Sequence, residues 1–193
     1  MQNLTKILEF INKIEKLKTV KRKVSISDNS RKESPAEHSW RLAIMVMIIN
    51  DELKLEIDIL KAIKMALVHD IVEIVAGDVF IIDENDKESN NVQRQKESLA
   101  AREIYSLLPV GMCDDVEKLW TEYEYGNSKE AFFVKALDKI EVIIQRNNLG
   151  VKNWERTDIH EKLLHWADKY VEKCPELKDF WRLVQNELVK QLK

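Results

Sequence analysis

Apolar residues recur at every third or fourth position along almost the whole chain, and nowhere do they alternate as a half-buried strand requires. Leu4, Ile7, Leu8, Ile11, Ile14 and Leu17 predict a first helix. A polar stretch over residues 19–33 interrupts the pattern and reads as a loop. Ser34-Pro35-Ala36-Glu37 joins a capping box to a proline at the first helical position, so a helix starts there and His38 lies in its first turn. The next helix is expected from near Asp58 to about Ala76, where Gly77 ends it. Residues 78–90 form a loop rich in Asp, Asn and Glu, and a helix follows over about 91–108, stopped by Pro109. A short helix capped by Asp114 or Asp115 runs through Glu124, and Gly126-Asn127-Ser128 is a turn. A long helix from about Lys129 to Asn148 closes at Gly150, and two more, about 158–173 and 176–192, are divided by Pro175. No linker, composition shift or internal repeat divides the chain. The pattern therefore predicts one all-α domain over residues 1–193, a bundle of roughly seven helices.

Composition narrows the function classes. Of 193 residues, 45% are apolar and 34% charged, which is globular, and four glycines with three prolines leave room for long helices. A formal net charge of −3 gives no footprint for a nucleic-acid polymer. The basic run through Lys16, Lys18, Lys21, Arg22 and Lys23 is short enough to be a solvated surface. The longest uncharged apolar stretch, Leu42 to Ile49, is too short to span a bilayer, and the charged amphipathic N-terminus is unlike a signal peptide. Cys113 and Cys174 show no metal or disulfide spacing, so a reduced, cytoplasmic setting is expected.

The chemistry sits in four misplaced polar residues. Only four histidines occur; RLAIMVMIIN lies just after His38, and IKMALV just before His69. Asp70 adjoins His69, and Asp138 lies within AFFVKALDKIEVII. A carboxylate or imidazole among apolar residues is destabilising unless something pairs with it. Two imidazoles and two carboxylates can share one divalent ion, and imidazole favours Mn, Co, Fe, Ni or Zn. Spacing alone leaves open that each is a hydrogen-bonded core residue. His160 and His165, beside Trp154 and Trp166, read as surface or packing residues, and Trp120, Tyr123 and Tyr125 as core in preference to a partner-binding patch.

His38, the pair His69-Asp70 and the distant Asp138 resemble the H…HD…D signature of the HD-domain metal-dependent phosphohydrolases. Within them the chain resembles the YfbR-like 5′-deoxynucleotidases, which include the eukaryotic HD domain-containing protein 2 type. The matching text is Leu17-Lys18 with Arg22, Glu33-Ser34, Glu37-His38-Ser39-Trp40-Arg41, Ala66-Leu67-Val68-His69-Asp70, Glu73, Gly77-Asp78 and Phe133-Val134-Lys135-Ala136-Leu137-Asp138-Lys139. It covers about residues 4–150, with the C-terminal helices of 151–193 packed on that part.

The resemblance implies a fold and a reaction. The fold is an HD-domain helical bundle, and the metal ligands are His38, His69, Asp70 and Asp138. The reaction is removal of the 5′-phosphate from (deoxy)nucleoside monophosphates by a water that the metal activates. It implies Glu73 as the catalytic base, Arg22 on the phosphate with Lys18 as a second candidate, Asp78 on the sugar, and a homodimer. In the family a Gly-Trp pair follows the arginine and its aromatic disfavours a ribose 2′-hydroxyl. Here Lys23-Val24-Ser25 stands in that place, so a weaker deoxy preference is expected unless another aromatic such as Trp40 takes the role. Two other readings stay open: a different phosphate ester or a nucleoside triphosphate as substrate, and a catalytically silent metal-binding module.

Overall fold

The first helix forms where the apolar spacing places it, yet it buries no residue. In the computed structural model, which describes residues 1–79, 87–154 and 160–192, α1 (Gln2–Ile14) leaves Leu4, Leu8 and Ile11 exposed. Only its C-terminal end, through Phe10 and Ile14, packs on the protein. A 3₁₀ turn (Glu15–Thr19) and the polar segment after it lead to α2 (Pro35–Leu53). The capping box is complete there: Ser34 accepts from the Glu37 N–H and Glu37 accepts from the Ser34 N–H, with Pro35 opening the helix.

The segment expected as one helix from Asp58 to Ala76 breaks in two. Asp58 caps α3 (Ile59–Val68), and α4 is the single turn Glu73–Ala76. Between them the bonds tighten to three-residue spacing, from Ile71 N–H to the Val68 carbonyl and from Glu73 N–H to the Asp70 carbonyl. Apolar residues continue through the break, so the hydrophobic period does not mark it. What drives it is tertiary: Ile71 and Val72 turn into a second apolar cluster with Leu17, Ile104, Tyr105 and Trp120.

Beyond Gly77, residues 80–86 of the expected acidic loop lie outside the described residues. α5 (Lys87–Tyr105) starts earlier than its apolar pattern suggests and ends sooner. α6 (Val110–Tyr125) begins at once after Pro109, which acts as its N-cap, instead of at the aspartates. α7 (Lys129–Leu149) matches its expected bounds, capped by Ser128 and closed by Gly150 at φ 81°, a backbone conformation that suits glycine. The C-terminal segment read as one helix over 158–173 is two turns, α8 (His160–Leu164) and α9 (Asp168–Val171); residues 155–159 lie outside the described residues. Between these two turns the backbone bonds tighten to three-residue spacing, from Trp166 N–H to the Leu163 carbonyl and from Asp168 N–H to the His165 carbonyl. The Asp168 carboxylate takes bonds from His165 Nδ1 at 2.7 Å and Trp181 Nε1 at 2.6 Å. α10 (Lys178–Leu192) ends the chain's described part.

The main core joins α2, α3 and α7 to the C-terminal elements through Leu42, Val46, Met65, Phe133, Leu137, Ile140, Leu163, Leu177, Trp181 and Leu188. Among the described residues the one extended pairing is an isolated bridge between Ser25 and Lys32, so the architecture is all-α as the pattern predicts. α7 is the central element and carries an unusual load. Asp138, Glu141 and Gln145, spaced by three and four, are buried along one stripe of it. That stripe meets His38 and Arg41, three apart on α2.

Candidate metal centre and its cavity

His38 is fully buried, and both ring nitrogens face carboxylates. Nδ1 lies 2.6 Å from Glu141 Oε2, and Nε2 lies 3.0 Å from Asp138 Oδ1. Glu141 is held in turn by Arg41, whose guanidinium also reaches Gln145, and Gln145 donates to the Ser25 carbonyl at 2.7 Å. Burial and the nearby Arg22 oppose a positive charge on His38, but Glu141 and Asp138 outweigh them and lift its pKa to about 10.

His69 ends α3 and is held differently. Its Nδ1 bonds to the Ala66 carbonyl at 2.9 Å; the carbonyl can only accept, so Nδ1 donates there and Nε2 is the nitrogen left to face the centre. That Nε2 is buried and makes no hydrogen bond, although Asp70 Oδ1 lies 3.0 Å away. An orphaned buried imidazole nitrogen among carboxylates is what a metal ligand looks like before its ion is considered. His38, His69 and Asp138 each offer a ligand atom, all within 4.8 Å of one another. Asp70 Oδ2 approaches His38 Nε2 to 3.9 Å. A second cluster of Glu33, His38 and Glu141 also has metal-like spacing, but His38 Nδ1 is spent on Glu141 and Arg22 Nε sits 3.2 Å from Glu33.

The surrounding donors fix the carboxylates. Asp138 Oδ2 accepts from Tyr123 at 2.9 Å and from Lys139 at 3.0 Å, which turns Oδ1 toward His38. Burial opposes the charge on Asp138, but Lys139 and the histidines hold its pKa well below the usual carboxylate range. Asp70 accepts from Arg22 Nη1 at 3.2 Å; despite burial, His69, His38 and Arg22 keep its pKa at about 2. Glu73 is the opposite case. Burial, Asp70 and Asp78 push its pKa well above the ordinary glutamate value, and its Oε2 is buried without a hydrogen bond.

These groups line a cavity of about 410 Å³, in the size range of small-molecule sites. Among the described residues six carboxylates face it, from Asp70, Glu73, Asp78, Glu97, Glu124 and Asp138, against four cations, Arg22, Arg94, Lys139 and Lys169. Burial raises the pKa of Glu97 to about 7 and raises that of Asp78, whose carboxylate accepts from the Lys23 backbone. The structure thus brings together His38, His69, Asp70, Asp138, Glu73, Asp78 and Arg22 at one centre.

It does not bring Lys18 there. Lys18 has a side chain 68% exposed, pairs with Glu15, and lines a separate groove together with Trp40. Because the 3₁₀ turn aims it outward, no lysine from this segment reaches the cavity. Ser25, in the stretch that replaces the Gly-Trp pair, is buried and does not line the cavity either, and Trp40 lies in the separate groove. Tyr123, expected as core, belongs to the centre through its bond to Asp138, as do Lys139, Glu141 and Arg41, to which the sequence pattern assigns no role. Glu141 had the signal that exposed Asp138, a carboxylate inside the same apolar run. Trp166 and Tyr170, to which the sequence pattern assigns no role, also line the cavity.

Comparison with known proteins agrees with this geometry. Residues 14–178 match the model of the HD domain family. The chain is 37% identical over 140 residues to the 5′-deoxynucleotidase HDDC2 of Homo sapiens; the match spans 72% of this chain and 66% of the human protein, just under two thirds. It is 30% identical over 173 residues to the 5′-deoxynucleotidase hdd1 of Schizosaccharomyces pombe, covering 86% of this chain and 82% of that one. Among solved structures, a predicted metal-dependent phosphohydrolase from Magnetospirillum magnetotacticum superposes with a TM-score of 0.82 at 28% identity, over 99% of this chain and 97% of the other.

Proposed function

The chain belongs to the HD domain family, and we propose that it is a metal-dependent phosphohydrolase that removes the 5′-phosphate from (deoxy)nucleoside 5′-monophosphates. The observation that carries this reading is the orphaned His69 Nε2 facing His38, Asp70 and Asp138 on the floor of a nucleotide-sized cavity. Those four residues are the proposed ligands of one divalent ion, and two imidazoles favour Mn, Co, Fe, Ni or Zn. When bound, such an ion supplies Lewis acidity toward a phosphoryl oxygen and a nucleophilic water near neutral pH.

The chain's own residues do the rest. Glu73 receives the proton of the attacking water; a buried carboxyl with a raised pKa is suited to take and return a proton near neutrality. Arg22 faces Glu33 through Nε and holds Asp70 through Nη1, and its Nη2 binds the phosphate and offsets charge as the P–O bond breaks. Tyr123 and Lys139 keep Asp138 ionised and oriented. Asp78, anchored on the Lys23 backbone, faces the sugar.

Two finer readings accompany this one. A homodimer is supported by an exposed apolar stripe on α2, Trp40, Ile44, Met47 and Ile48, which light scattering at micromolar concentration tests; a monomer mass overturns it. A reducing, cytoplasmic setting is supported by the free thiols Cys113 and Cys174. The reaction itself is tested by phosphate release from a nucleotide panel under metal supplementation. Nucleoside 5′-monophosphates should turn over, and Glu73→Gln should lower kcat by roughly 10²–10⁴-fold with metal content retained. No phosphate from any monophosphate overturns the proposal.

A further inference from the structure

The cavity has a wall that the phosphate chemistry leaves unused. It comes from the C-terminal segment: Trp166, in the turn between α8 and α9, and Lys169 and Tyr170 on α9. Both rings pack partly on the main core, and the neighbours Leu163 and Ala167 are fully buried, so the turn presents Trp166 on a fixed base. Tyr170 lies within electrostatic reach of Lys139 and Asp138, which ties this wall to the metal centre. The Lys169 ammonium sits 4.6 Å from the Tyr170 ring centroid.

Two ligand chemistries compete for this space, a second phosphoryl group or a flat heterocycle. The charge balance disfavours the first. Even with Glu73 and Glu97 uncharged, the remaining four carboxylates match the four cations among the described lining residues, so one dication and one phosphate dianion leave no surplus positive charge for another phosphate. The lining favours the second, because Trp166 brings the largest aromatic ring system among the described residues that line the cavity. We propose that Trp166, backed by Tyr170, is the nucleobase subsite, with the base stacked on the indole. Stacking reads the π-face that every base has, so the subsite tolerates different bases and favours purines only through their larger overlap. The inference rests on the cavity being a nucleoside-phosphate site.

Calorimetry of the Mn²⁺-loaded protein tests it, with two ligands that cannot be hydrolysed: the 5′-phosphonate analogue of dAMP and the base-free 2-deoxyribose 5-phosphonate. In the unmodified protein the base-bearing ligand should bind at least about tenfold more tightly. Trp166→Leu fills the apolar space without a π-face, and it should weaken the base-bearing ligand roughly 10- to 100-fold while leaving the base-free one within about twofold. Trp166→Phe should restore most of the difference. Equal weakening of both ligands by Trp166→Leu, or no change in either, overturns the subsite. A protein that shows the Trp166-dependent difference but releases no phosphate from dAMP overturns the reaction and leaves the subsite standing. One that hydrolyses dAMP and 2-deoxyribose 5-phosphate alike, with or without Trp166, does the reverse.

Discussion

The two histidines of the centre lie 5.5 Å apart, ring to ring, and are seated by different physics. His69 is fixed by its own helix: Nδ1 bonds to the carbonyl three residues earlier, a neutral and wholly local contact. His38 is fixed by a carboxylate 103 positions away, which Arg41 and Gln145 hold in turn. A carbonyl sets the tautomer and little else. A buried carboxylate also raises the basicity of the ring and strengthens its bond to a cation. The arrangement therefore couples one ligand to the packing of α2 on α7 and leaves the other independent of it.

Removing either ring should have the largest effect on function. His38→Ala and His69→Ala should each lose the metal and lower turnover by on the order of 10³-fold or more, about 4 kcal/mol of barrier. Stability should separate them. His38→Ala leaves buried Glu141 without one of its cationic or donor partners, a change that costs roughly 3–5 kcal/mol. His69→Ala orphans one backbone carbonyl, about 1–3 kcal/mol. Elemental analysis and denaturant melts check both, and equal losses of stability would remove the distinction between the seats.

A smaller effect sharpens the comparison. Glu141→Gln keeps the size of the side chain and one acceptor but discharges the seat of His38. Metal affinity, measured by chelator competition, should fall roughly 10- to 100-fold with the fold retained. A change below about threefold would make Glu141 a packing residue. The conservative Glu141→Asp should recover part of the loss if the carboxylate charge, and not its reach alone, is what His38 needs.

The same contrast explains what was legible in the sequence. Ser34, Pro35, Asp58, Ser128 and Gly150 act on their nearest neighbours, and the helix ends they set lie where the sequence places them. His69-Asp70, Asp138 and His38 stood out because charge inside an apolar run is anomalous at any distance. Partners chosen by tertiary packing left no such trace. Glu141 pairs across two helices, Trp166 reaches the cavity from the turn that interrupts the C-terminal helix, and Lys18 was carried outward by a 3₁₀ turn that its spacing does not announce. The break after Val68 was hidden for the opposite reason. Ile71, Val72, Ile74 and Val75 are apolar on every face, so no period registers the change of direction.

The smallest effect concerns the start of α2, four residues from His38. Ser34→Ala removes the side-chain cap and should lower stability by about 1 kcal/mol, or Tm by roughly 2–4 °C. Glu37, the other half of the box, bonds to Arg31, which draws its pKa down to about 2 from 4.5. A depressed carboxylate stabilises the folded chain above its unfolded pKa, and that stabilisation fades as pH falls from 4.5 toward 2. Glu37 is 40% exposed, so solvent screening keeps the contribution small. The Tm difference between the unmodified chain and Glu37→Gln should accordingly be largest above pH 4.5 and shrink on acidification, whereas the Ser34→Ala difference should persist over the same range. Metal affinity at neutral pH should be unchanged in both variants. The seat of His38 is set by Glu141 on α7, and a cap that frays one end of α2 leaves that pairing intact. A tenfold loss of metal affinity in Ser34→Ala would instead show that the seat depends on how α2 begins, and the two histidines would then both be locally held.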